Sequence, residues 1–370
     1  MLFPYLKPEI PKPEQWVHHL QVSYQARYFS NFGPLAQKLE EDVSKNYLVE
    51  GYAGVLCSSN TSGLLAALNA IDVYGKKVIL PDFTFAATPQ AIFAAGATPV
   101  ICDIDERVWE LDPESVEKAL HAHTDVAAII HVRPFGLVRD ISATRELSVK
   151  YQIPLIVDAA AGLGRTDSDA TFGSDTGEIE VFSMHATKVF AIGEGGFVAA
   201  PEPMVGPIKR ALNFGFDRDR TYGDGFNGKI DEFRCAIGLT TLDLIDDWID
   251  VRTRHADFYE TFFSRFNTLT RPVEPGNTPW AQYPVLFDRD VDNSMIGVFA
   301  DKGIEIKKYY WPGVKRAYTG RRPIDAMPIP VSESLQNRFA CFPVYSDFTP
   351  ELGSMLKQRL EGALEVVLGS

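Results

Sequence analysis

Seven short apolar runs recur through the first two thirds of the chain, and most are separated by segments with helical patterning. The runs are Gly54 to Cys57, Lys77 to Leu80, Thr98 to Cys102, Val126 to Val132, Ile153 to Val157, Ile179 to Ser183 and Gly196 to Ala200. Helical stretches at Ser62 to Ile71, Pro89 to Ala95, Pro113 to Ala119 and Ile141 to Tyr151 fall between them. Such alternation predicts a mainly parallel sheet covered by helices on both faces, because parallel neighbours need a crossover. Ligands in these folds gather beyond the carboxyl ends of the strands, so the residues after each run carry the functional information.

Past Glu232 the pattern becomes one long helix to Phe263, with Leu239, Leu242, Ile245 and Ile249 on one apolar face. The remainder, with Gln282 to Phe287, Gly303 to Lys307 and a final helix from Pro350 to Leu364, suits a smaller α+β domain. The expected division is 1–245 for a large domain and 246–370 for a small one, with the first fifty residues wrapping the large domain. The 370 residues carry a net charge of −13, which argues against nucleic acid or an anionic membrane as the main partner. Cys57, Cys102, Cys235 and Cys341 lie far apart with no CxxC pair, so neither a metal cluster nor a disulfide framework is expected, and a reducing cytoplasm fits best. No run is long and apolar enough for a membrane span.

Ile153-Pro-Leu-Ile-Val-Asp158 is an apolar strand ending in a carboxylate, and Phe182-Ser183-Met-His185-Ala-Thr-Lys188 brings a lysine into a short loop before Gly193-Glu-Gly-Gly196. Alone, the aspartate reads as a turn or cap residue and the lysine as a surface cation. Together they match what pyridoxal 5'-phosphate (PLP) requires: an amine for a Schiff base, and a carboxylate that keeps the ring nitrogen protonated. The segment Ser58-Ser-Asn60-Thr61-Ser62-Gly63 before a strong helix former is an ordinary N-cap in isolation, and in this company a phosphate site. Phe83 and Phe85 follow the second strand; both suit a core, and either could stack on a pyridine ring.

In order and spacing these segments resemble the DegT/DnrJ/EryC1/StrS sugar aminotransferases. The resemblance rests on Ser59-Asn-Thr-Ser62, Pro81-Asp-Phe-Thr-Phe-Ala-Ala-Thr88, Asp158-Ala-Ala, the Phe182 to Lys188 segment with its glycines, and Phe226-Asn-Gly-Lys-Ile-Asp-Glu232. It implies an aspartate-aminotransferase-like α/β fold with a seven-stranded sheet, and a homodimer with active sites at the subunit interface. It makes Lys188 the Schiff-base lysine, Asp158 the partner of the ring nitrogen and Phe85 the stacking residue. Thr61, Ser62 and Ser183, with Asn60 beside them, take the phosphate positions, and Asn227 reaches the phosphate of the neighbouring subunit. His185, Arg133 and Asn31 are candidate substrate contacts.

Three departures from the family pattern stand out. Ala161 replaces a polar residue expected near the cofactor's phenolic oxygen. Arg133 follows Val132 where a histidine is usual, to bind an anion or to pair with a nearby acid. Asn60 replaces a glycine. The implied reaction moves an amine, most often from glutamate, to a keto sugar, usually nucleotide-linked. A non-nucleotide keto compound is an alternative, as is a sugar dehydratase relative, against which Lys188 weighs. The basic residues Lys307, Lys308, Lys315, Arg316, Arg321 and Arg322 would face a substrate diphosphate or lie on a solvated surface.

Overall fold

The computed structural model describes residues 2–164, 172–174, 176–217 and 219–369. All seven expected strands form: β1 (Tyr52–Cys57), β2 (Lys77–Pro81), β3 (Thr98–Cys102), β4 (Val126–Val132), β5 (Leu155–Asp158), β6 (Ile179–Ser183) and β7 (Gly196–Pro201). Two-residue strands β8 (Phe216–Asp217) and β9 (Arg220–Thr221) make a hairpin. In the C-terminal part lie β10 (Leu269–Thr270), β11 (Gln282–Phe287), β12 (Asp325–Ala326) and β13 (Phe339–Pro343).

The large sheet runs β1-β7-β6-β5-β4-β2-β3-β12, with only β7 antiparallel to its neighbours. It therefore has eight strands, one more than expected. β12 pairs with the edge strand β3 and satisfies groups that an open edge would leave to solvent. Two residues are too short to show any periodicity in the sequence.

One face of the sheet, with Val181, packs against Leu64 and Ile92 of the crossover helices. The other packs Val157 and Phe182 against the helix Pro34–Tyr47 and the long helix Glu232–Phe263. A separate core lies where β10, β11 and β13 form a three-stranded antiparallel sheet packed by the C-terminal helices. The long helix serves both cores, with Ile245 and Ile249 in the first and Ala256, Tyr259 and Phe263 in the second. The changeover thus falls between Ile249 and Ala256, past the expected boundary at 245, because the helix is continuous and shows no composition break there.

Only part of the first fifty residues wraps the large domain. Phe3 and Tyr5 belong to the second core, and the Leu2 and Phe3 amides donate to the Gly303 carbonyl. The run Gly303 to Lys307 makes only isolated bridges, to Phe3 and Cys341. Since β1, β2, β4, β5 and β6 all point the same way, their carboxyl ends share one edge. Antiparallel β7 begins there, at Gly196.

Candidate active site

At that edge lies a cavity of about 350 Å³, walled by Asp158, Lys188, Phe85 and the turn Ser59–Thr61, with Tyr309, Tyr310 and Gln282 contributed from the C-terminal part. Asp158 ends β5 and is 4% exposed. Its Oδ2 accepts from Thr88 Oγ1 at 2.7 Å and its Oδ1 from Asn60 Nδ2 at 3.2 Å. Burial pushes this carboxyl above its usual range, against those two hydrogen bonds and the Lys188 charge. Burial pushes the Lys188 amine down, and Asp158 is the charge that opposes it. A half-buried amine and a buried carboxyl thus face one small space, an arrangement that shifts both groups toward the range useful for proton transfer.

The turn after β1 is shaped by its own hydroxyls. Ser59 caps the helix Asn60–Ala70: its Oγ accepts from the Ser62 amide at 3.1 Å, and Ser62 Oγ accepts from the Ser59 amide at 2.9 Å. Ser62 Oγ in turn donates to the Ser59 carbonyl at 2.7 Å. Ser62 is therefore absent from the cavity wall, where Ser59, Asn60 and Thr61 stand instead. The hydroxyl expected to meet a phosphate is engaged inside the turn. The first amides of this helix precede its internal ladder and, with the helix dipole, favour an anion. Ser183, at the end of β6, also lines the cavity.

The two phenylalanines after β2 separate completely. Phe83 is buried among Phe135, Tyr310 and Phe339, whereas Phe85 is 60% exposed on the cavity wall. An apolar ring left open beside buried charges is a platform for a flat ligand.

Other expected residues behave differently. Asn60 turns its side chain away from the anion end of the cavity, to Asp158 and the Val181 carbonyl. Arg133 lines the wall, but its guanidinium is committed inward: Nη1 donates to the Arg139 carbonyl at 2.6 Å and Nε stands 3.9 Å from Glu180 Oε2. Glu180 is the acid nearest to it, at ion-pair distance without a hydrogen bond. His185 lines the cavity, and its Nδ1 accepts from the Thr187 amide at 3.2 Å, so its neutral form carries the proton on Nε2, 3.6 Å from Glu194. Asn31 and Asn227 are exposed and stand outside the cavity of their own chain. Sequence reasoning gave no role to Thr88, Gln282, Tyr309 or Tyr310. Thr88 lay within a quoted motif; the other three carry no local signal linking them to Asp158.

The family model for the DegT/DnrJ/EryC1/StrS aminotransferases matches residues 13–355. The chain belongs to that family. Among its DegT/DnrJ/EryC1/StrS relatives, the dTDP-4-amino-4,6-dideoxy-D-glucose transaminase of Shigella dysenteriae is 27% identical over 353 residues, covering 94% of this chain and 95% of that protein. The UDP-N-acetyl-3-dehydro-alpha-D-glucosamine 3-aminotransferase of Acidithiobacillus ferrooxidans is 27% identical and covers 84% of this chain and 85% of its own. The solved structure of DesI in the presence of its TDP-sugar product superposes with a TM-score of 0.87 at 26% identity, covering 99% of this chain and 94% of that one. The fold is thus that of this family of aminotransferases, and the chain is a transaminase.

Proposed function

We propose that this protein is a PLP-dependent aminotransferase that moves an amino group from an amino acid, glutamate in the first instance, to a nucleotide-linked keto sugar. The observation that carries the reading is that Lys188 and the buried Asp158 line one cavity at the sheet edge together with the open ring of Phe85. The donor set fits the cofactor: an amine at Lys188, a carboxylate at Asp158, a flat platform at Phe85, and hydroxyls and amides at Ser59–Thr61 and Ser183 for its phosphate. When bound, PLP supplies an aldehyde that takes up the donor amine and a ring that accepts electrons.

The chain's own residues do the rest. Lys188 Nζ, its affinity for a proton lowered by burial, removes a proton from the donor carbon and returns one across the cavity. Asp158 holds a proton at the ring nitrogen. Tyr309, Tyr310 and Leu6 close the cavity from the C-terminal and N-terminal segments and limit water. The donor leaves as its 2-oxo acid before the keto sugar takes the amine in a second half-reaction.

A second cavity of about 360 Å³ supports a nucleotide-linked acceptor. It shares Thr84, Phe85, Tyr309 and Tyr310 with the first and holds Lys307, Lys308, Trp311 and Tyr318. Lys308 Nζ lies 4.6 Å from the Trp311 ring centre and Lys307 Nζ 5.6 Å from that of Tyr5. The two ammonium groups, with the exposed ring of Trp311 beside Lys308, suit a diphosphate and a base. Elsewhere in the basic cluster, Lys315 pairs with Glu333 at 3.2 Å and Arg322 bonds the Phe93 carbonyl.

Exposed aromatics at Tyr24, Phe214, Phe216, Tyr222 and Phe233, together with an Asn227 that stands outside its own cavity, support a homodimer whose copies complete each other's sites. Four buried, free cysteines accord with a cytoplasmic setting.

Borohydride reduction of the loaded protein, followed by peptide mass analysis, tests the site: the cofactor mass should appear on the Lys188 peptide and be absent from Lys188→Ala. Product analysis with nucleotide-linked and free keto sugars tests the acceptor. Turnover of only the free ketones would overturn the nucleotide reading, and sedimentation as a monomer would overturn the dimer.

A further inference from the structure

We propose that Asn60 and Thr88 are positioning residues that grip the two oxygens of the Asp158 carboxylate, one each, and thereby keep the proton on the cofactor's ring nitrogen. The proposal rests on the reading of Asp158 as that nitrogen's partner.

The geometry is that of a two-sided clamp. Thr88 is fully buried in the first turn of the helix Ala87–Ala94, and its Oγ1 lies 2.7 Å from Asp158 Oδ2 and 2.8 Å from Thr84 Oγ1. An ionised carboxylate only accepts, so Thr88 donates to Asp158 and its remaining lone pair is free to take the Thr84 proton. The result is an ordered chain of hydroxyls running Thr84 to Thr88 to Asp158. On the other side, Asn60 Nδ2 stands 3.2 Å from Asp158 Oδ1 and 3.2 Å from the Val181 carbonyl. Both neighbours are acceptors, which fixes the amide with its NH₂ toward them and gives each one hydrogen.

Asn60 is also the first residue of the helix whose N-terminus faces the anion end of the cavity. One residue thus ties the backbone at the phosphate end to the carboxylate at the ring end. A glycine in its place has no side chain with which to do this.

The consequence follows from acid–base balance. The Lys188 amine and the Tyr310 hydroxyl are the ionisable groups that act on Asp158, and the Ala160 amide also bonds to it. Removing either clamp donor leaves the carboxylate with one donor fewer and makes Asp158 a stronger base. The proton shared with the ring nitrogen then moves toward the carboxylate, and the ring loses its positive charge.

The test uses the holoenzyme loaded with PLP labelled with ¹⁵N in the ring. In Thr88→Val and in Asn60→Ala the ¹⁵N resonance should move from the protonated toward the neutral position, and the cofactor dissociation constant should rise roughly tenfold, as expected for losing a hydrogen bond to a charged group. Thr88→Ser keeps the hydroxyl and should restore both to wild-type values. An unmoved resonance and unchanged affinity in both variants would overturn the proposal, as would a Thr88→Ser protein as perturbed as Thr88→Val. If Thr88→Val fails to fold, Asn60→Ala reads the other oxygen and decides alone. Wild-type protein that takes up no cofactor would instead overturn the functional reading beneath it, a result distinct from normal uptake with an unmoved signal.

Discussion

Gly196 lies so close to Ser59 that a Cβ added to it would stand 2.5 Å from the Ser59 carbonyl carbon. The start of β7 therefore presses directly on the turn that would cradle the phosphate, and the same Cβ would meet the Asn60 amide nitrogen at 2.8 Å. The three nearest atoms are all backbone, so no side chain can rotate away to relieve the contact. Gly196→Ala should destabilise the protein by about 1–3 kcal/mol, the range for overpacking, and weaken cofactor binding in the same variant. Thermal unfolding with and without cofactor measures both.

The rate of the donor half-reaction should fall at acidic pH as Lys188 becomes protonated. Burial places the acidic limb below the ordinary lysine value of 10.5, while the Asp158 charge holds it up. Asp158→Asn removes that charge, so the limb should move to lower pH. Stopped-flow rates across a pH series check the direction; a limb that stays in place would separate the two residues electrostatically.

Lys307→Ala combined with Lys308→Ala should raise KM for a nucleotide-linked acceptor while leaving the amino-donor half-reaction at its normal rate. The lysines border the second cavity and stand away from Lys188 and Asp158. The acceptor KM of the wild type should also rise with ionic strength, and that of the double variant should depend on salt less. Steady-state kinetics at two salt concentrations decide it.

His255 links stability to pH. It is buried in the second core, stacked on Phe348 at 3.7 Å between ring centres, and its Nδ1 accepts from the Tyr345 amide at 3.1 Å. Burial, with help from the Arg252 charge, lowers it from 6.5 to about 3. The unfolded chain then binds more protons than the native one between those values, so stability rises with pH across that window. Its contribution is complete above 6.5 and is lost as pH falls toward 3. Urea midpoints at neutral and mildly acidic pH should differ less in His255→Gln than in the wild type.

Glu232 fastens the N-terminal region to the long helix. It is fully buried and accepts from the Leu35 amide at 2.8 Å, the Ala36 amide at 3.0 Å and Ser23 Oγ at 2.9 Å. A carboxylate at the start of the helix Pro34–Tyr47 also suits that helix's dipole. Glu232→Ala leaves three buried donors without their acceptor and should cost about 3–5 kcal/mol, the range for breaking a buried charged network. Equilibrium unfolding in urea measures the loss.

The sequence by itself determined seven strands of the large sheet and marked Asp158 and Lys188 as candidates. Each of those strands is an apolar run, a local property, and Asp158 and Lys188 stood out through the combination of segments that follow such runs. It also marked Phe83 and Phe85 without telling them apart. What separated them is tertiary: Phe83 is packed by Phe135 and Phe339, which lie 52 and 256 residues further along the chain (135 − 83 and 339 − 83), and Phe85 is left open. Tertiary structure alone also turned Arg133 inward to Glu180, drew the Ser62 hydroxyl into its own turn, aimed Asn60 at Asp158, and brought Tyr309 and Tyr310 over the cavity. The physical reason is the same in each case. Backbone pattern depends on neighbours a few residues away, whereas the direction of a polar side chain is set by whichever buried donor or acceptor folding brings within reach, and that partner has no fixed place in the sequence.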